Sequence, residues 1–180
     1  MKPLYLLPIL LLLFACAKEE DYTNMPVYLP GDISSGHISM KKNNRDMMAS
    51  AFATKCFRDE SNLALRIEAF DNEGTLMEQY ILECMQMNLN DQMLCKNQDM
   101  NCLVWMHYET LIEDQSIDSY ILDTSKKNFI QITEIDTTSG WISGKMEMHF
   151  DRDKSKPKGN ANNPEKVSFT EGNFSIKLPD

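Results

Sequence analysis

The chain has 180 residues, 27 acidic against 18 basic, for a formal net charge of −9. Such a surplus repels phosphate backbones and disfavours a polybasic grip on anionic lipid, so nucleic acid is not an expected partner. The length suits one domain with a single core and leaves too little chain for a second.

At the amino end, Lys2 precedes an apolar stretch from Leu4 to Ala15 that contains Pro8. A bilayer-spanning helix needs about 20 apolar residues, so this run is too short to cross stably and reads as a secretory signal over residues 1–15. It stops at Cys16, and Leu13-Phe14-Ala15-Cys16 resembles the lipobox of bacterial lipoproteins. The resemblance implies that Cys16 is acylated and becomes the first mature residue. Acyl chains contribute roughly 0.8 kcal/mol per buried CH₂, enough in combination for durable attachment. The next residues, Ala17-Lys18-Glu19-Glu20-Asp21, are similar to the Lys-plus-acidic tag that sends lipoproteins of Bacteroidota to the outer face of the outer membrane. That similarity implies a surface location, with a periplasm-facing anchor as the alternative.

Residues 16–46 are polar, carry Pro26, Pro30, Gly31 and Gly36, and lack sustained periodicity, which predicts a lipid-anchored tether ahead of a domain over 47–180. Within that domain, Leu63, Leu65, Ile67 and Ala69 alternate against Arg66 and Glu68. Asp71 to Gly74 then supplies turn chemistry before Leu76, Tyr80 and Leu82, so a hairpin is expected. "RDMMASAFATKC" and "TLMEQYILECMQM" contain good helix formers, leaving a helix beside the sheet as a competing expectation.

Four cysteines follow Cys16, namely Cys56, Cys84, Cys95 and Cys102. In an oxidising exported setting they read as two disulfides; three pairings are compatible, and Cys95 with Cys102 plus Cys56 with Cys84 is the one adopted. The stretch that holds three of them also holds Met87, Met106 and His107. Soft thiolate and thioether ligands favour Cu(I), so Cys84, Met87, Cys95, Cys102, Met106 and His107 form an alternative copper-binding set. Against it, the methionines show no regular spacing, methionine serves widely as adaptable core filler, and disulfides would remove the thiolates.

Beyond this stretch, "CLVWMHYETL", "IDSYILDT" and "NFIQITEID" are strand-like. In "WISGKMEMHF", Ile142, Met146, Met148 and Phe150 face one way and Lys145, Glu147 and His149 the other. A polar loop from Asp151 to Glu165 follows. Val167 and Phe169 then alternate in one parity and Phe174, Ile176 and Leu178 in the opposite one, which predicts a bulge or tight turn at Gly172. About eight antiparallel strands at this spacing give an all-β fold, a β-sandwich of immunoglobulin-like or similar type or a barrel. Ile142-Ser143-Gly144 and Val167 through Phe174 resemble the closing strands of small uncharacterised surface lipoprotein domains of Bacteroidota. That resemblance implies a sandwich and carries no activity.

Catalytic signatures such as His-Glu-x-x-His, Gly-x-Ser-x-Gly and Cys-x-x-Cys are missing from the sequence. His37, His107 and His149 are scattered; His149 with Asp151 or Asp153 is the one acid–base pair that assembles on paper. Trp105, Trp141 and Tyr108 are candidates for an aromatic binding platform, since amphipathic rings suit binding surfaces. The expectation is a cofactor-free, non-enzymatic binding or structural module of the cell envelope, with a glycan, a peptide or an envelope protein as its partner.

Overall fold

The computed structural model describes residues 36–56, 62–71, 73–96, 104–113 and 115–178. Ten strands follow in chain order: β1 (Gly36–Lys42), β2 (Arg45–Lys55), β3 (Leu63–Phe70), β4 (Leu76–Met85), β5 (Asp91–Lys96), β6 (Val104–Ile112), β7 (Gln115–Leu122), β8 (Phe129–Asp136), β9 (Trp141–Arg152) and β10 (Lys166–Lys177). There is no helix among the described residues, so both helix-favouring stretches resolve as strands, β2 and β4. The fold is all-β and sandwich-like, as the alternation predicts, with ten strands instead of about eight.

The ladder runs β10-β1-β2-β3-β4-β6 and returns through β5-β8 and through β7 to β9, which pairs with β10 again. Two strands each serve two partners on one edge. β6 takes β5 at Val104–Met106 and β7 at Tyr108–Ile112, while β9 takes β8 at Trp141–Glu147 and β7 at Phe150–Arg152. All of these pairs are antiparallel except β5 with β6. Closure satisfies backbone groups that an open sheet would leave unpaired, and so reduces the edges on which a partner strand could be added.

The domain begins earlier than expected. Gly36–Lys42, assigned to the tether from its glycines and polar neighbours, is a strand bonded to β10 on one side and β2 on the other. Its inward residues Ile38 and Met40 are buried. The turn that follows is Asn43-Asn44, with φ of 49° and 66°. Two successive left-handed residues give the twist that a tight hairpin requires, and asparagine tolerates that conformation.

The interior is filled by side chains from every strand. Tyr108 lies between Tyr80 and Tyr120, with both ring separations 4.6 Å and interplanar angles of 9° and 22°. Phe169 meets Tyr80 and Tyr108 edge-on at 4.9 and 5.5 Å. The register explains the stack: Tyr80 is paired with Tyr108 across β4–β6, and Tyr108 with Tyr120 across β6–β7. Each such aromatic pair adds about 0.5–1.5 kcal/mol beyond area burial. The polar tips are partnered too. Tyr80 donates to Glu78, which also holds the Lys42 ammonium, and Tyr120 donates to the Pro164 carbonyl at 3.1 Å. Burial, reinforced by Glu78, pushes the Tyr80 and Tyr108 phenols well above their ordinary range, so both stay neutral.

Candidate functional site

A concavity of about 420 Å³ lies on the outer face of the sheet where β1 runs between β10 and β2. Ser39 sits at its centre, paired with Asn173 on one side and Met48 on the other, so a short side chain is flanked by two longer ones. Met48 supplies the apolar side chain on this outer face, Met40 and Met47 being turned toward the core, and Lys41, Asp46 and Glu171 supply charge. Met48 is exposed, at 45%. Unbranched thioether side chains adapt to differently shaped apolar groups, which suits a binding surface.

One irregularity of β10 lies at this groove and shows in both of its ladders. The β1–β10 register shifts between Ser39 and Lys41, and the β10–β9 register shifts between Phe169 and Gly172. It is the bulge that the parity change predicts. Glu171 adopts φ of 54° there, a conformation few non-glycine residues occupy, and bulges of this kind re-aim side chains next to functional sites. A Cβ on Gly172 would approach Met146 Cγ and its carbonyl oxygen to 2.8 Å, so the neighbouring position is held to glycine by contact. The re-aimed Glu171 carboxylate reaches Lys41 Nζ at 2.7 Å. The Glu171 hydrogen bond, followed by its charge, raises the Lys41 ammonium above its usual range.

A second constellation lies on the outer face of β9 and β10. His149 Nε2 is 2.9 Å from Glu147 Oε1, and Nδ1 is 3.0 Å from Ser168 Oγ. The pairing of His149 with Asp151 or Asp153 that can be assembled on paper does not form. Asp151 instead pairs with Lys166 at 3.1 Å, and the Asp153 side chain accepts from the Ser155 amide at 2.9 Å. Glu147, His149 and Ser168 are same-face and cross-strand neighbours, as the β9–β10 register requires, and none of them lines the groove. This geometry orders a strand surface.

The other candidates are dispersed. Tyr108 is a correction: at 1% exposure it is the middle ring of the core stack, and its position opposite both Tyr80 and Tyr120 denies it to any surface platform. Trp141 is half-buried at the start of β9, opposite Lys177 and Asp136. Trp105 is placed by its backbone opposite Glu83 and Cys95. Of the copper set, Met106 is buried in the core, whereas its chain neighbour His107 lies on the other face and bonds Glu109 at 3.3 Å. Strand alternation thus separates two of the six. Met87 packs against the core. Among the described residues no group of three His, Cys, Asp or Glu side chains could hold a metal ion. Cys56 and Cys95 are each disulfide-bonded, while Cys102 and the Cys84 side chain lie outside what the structure describes. Cys16, the acidic tag and residues 17–35 are likewise outside the described residues.

The groove residues were not singled out from sequence. The signal that points to them was present, in the parity change at Gly172. Compared with known protein families, curated proteins and solved structures, the chain matches none.

Proposed function

We propose that this protein is a lipid-anchored component of the outer membrane, displayed on the cell surface through Cys16, that acts as a non-enzymatic binding or structural module. The groove between β10, β1 and β2 is its binding site, and a glycan, a peptide or another envelope protein is its partner class. The observation that carries the binding reading is the convergence of a β10 bulge, a left-handed Glu171 and the exposed Met48 on one surface concavity. Backbone irregularity of this kind concentrates where side chains must be aimed at something. Attachment rests on the apolar run that ends at Cys16. The four remaining cysteines form the bridges Cys56–Cys84 and Cys95–Cys102, consistent with an oxidising compartment.

Two measurements test this. Fatty-acid labelling of cells should mark the wild type and leave Cys16→Ala unlabelled and released from the membrane fraction; an unlabelled wild type removes the anchor. Screening the full chain against glycan and peptide arrays should give binders that Met48→Arg abolishes while its melting temperature is retained. Binders indifferent to that substitution exclude the groove.

A further inference from the structure

We propose that the loop between β9 and β10 is a docking surface for an anionic polysaccharide, separate from the groove and independent of whether Cys16 is acylated. The segment Arg152–Lys166 carries five cations and two carboxylates, a net +3 in a chain whose other residues sum to −12. Arg152 and Lys158 share the single carboxylate of Glu165, at 3.2 and 3.3 Å. Lys154 and Lys156 are exposed and have no carboxylate within 4 Å among the described residues. Concentrated positive charge on an acidic protein is a local attractor for anions.

A solvated charged loop would be mobile, whereas this one is fastened at several points. Asp118, 3% exposed, accepts from the Gly159 amide at 3.0 Å, the Asn160 amide at 3.1 Å and Asn163 Nδ2 at 2.7 Å. Asn163 Nδ2 also reaches Thr110 Oγ1 at 3.0 Å. The Asp153 amide donates to the Ser119 carbonyl at 2.9 Å. Gly159 lies so close to Ile117 that a Cβ would come within 2.4 Å of it. The lysines therefore project from a fixed backbone, and a partner that engages them orders little further chain.

The composition of the loop selects the partner. Between Arg152 and Lys166 there is no aromatic residue and no aliphatic side chain beyond Ala161 and two prolines. Protein interfaces centre on buried aromatic or aliphatic anchors, which this loop lacks. It offers instead ammonium groups interspersed with Ser155 and Asn162, donors and acceptors suited to a polymer of hydroxyls and carboxylates. The loop also lies at the end of β10 opposite Gly36, which pairs with Ile176, so a strand length of order 30 Å separates it from the point where the amino-terminal segment enters.

The test uses the full chain and immobilised polygalacturonate, a carboxylated polysaccharide, with neutral dextran and duplex DNA for comparison. Expected is retention on polygalacturonate at low salt that high salt releases, with none on dextran. Lys154→Glu with Lys156→Glu should weaken it by about tenfold or more. Lys145→Glu with Lys177→Glu changes the net charge equally and should have a much smaller effect. Asp118→Asn, which keeps every lysine but loosens the loop, should weaken retention while circular dichroism shows the fold intact. Absence of retention, equal losses from both double variants, or equal retention on DNA would each overturn the proposal.

Discussion

The tyrosine stack on β4, β6 and β7 and the surface groove on β10, β1 and β2 belong to one sheet and differ in almost every physical respect. Around Tyr80, Tyr108 and Tyr120 the rings are parallel and buried, and the Tyr80 and Tyr120 hydroxyls both find acceptors. At the groove β10 carries a bulge, Glu171 is held left-handed and Met48 stands open to water. The first arrangement maximises packing and leaves nothing for a ligand to improve. The second stores strain and leaves apolar surface uncovered, which a bound group would relieve.

If this contrast is right, damage to the stack should cost far more stability than damage to the groove. Tyr108→Ala removes the middle ring and should destabilise by about 3–5 kcal/mol. Calorimetry should record a fall in melting temperature of roughly 10 °C or more, and a smaller fall would mean the stack is not the centre of the core. Asp118→Ala comes next, because it strips a buried acceptor from three N–H donors and should cost about 1–3 kcal/mol by chemical denaturation.

Acidity probes the same anchor more gently. Burial opposes ionisation of Asp118, but the Gly159, Asn163 and Asn160 donors and the Arg152 charge outweigh it and hold its carboxyl below the usual range. A carboxyl lowered in the folded state contributes stability above its unfolded pKa of about 4, and loses that contribution as pH falls through the folded value. Thermal melts should therefore drop below about pH 4, less steeply in Asp118→Asn; parallel profiles would detach the effect from this residue. The smallest effect belongs to the groove. Glu171→Gly relieves the left-handed backbone and should leave stability unchanged or raise it by up to about 1 kcal/mol. A clear loss would show that Glu171 is structural.

Much of the carboxyl-terminal half was legible because each strand there alternates cleanly and buries one face: Ile142, Met146, Met148 and Phe150 go in, as their spacing says. The bulge was legible for the same reason, since a period-two pattern exposes a one-residue slip. β1 was hidden because only Ile38 and Met40 mark its inner face and the Asn43-Asn44 turn is too short to stand out. In β2 the signal is weak because the buried residues are small, Ala49 and Ala51, and their helix preference competes until long-range pairing decides. β5 is six residues long and pairs in parallel with the next strand and antiparallel with the distant β8, an arrangement no local pattern encodes. Tyr108 was misplaced for a related reason. A tyrosine beside Trp105 suits a platform, and only its register against Tyr80 and Tyr120 reveals it as core.

A fully packed interior leaves the outer surface as the place where this protein would bind. Xenon pressurisation of crystals tests this most directly, since the gas occupies empty apolar space inside proteins. The expected result is no xenon within the ring of Tyr80, Tyr108, Tyr120, Phe150 and Phe169. A bound atom there would reveal an internal ligand cavity and contradict the assignment of binding to the outer surface.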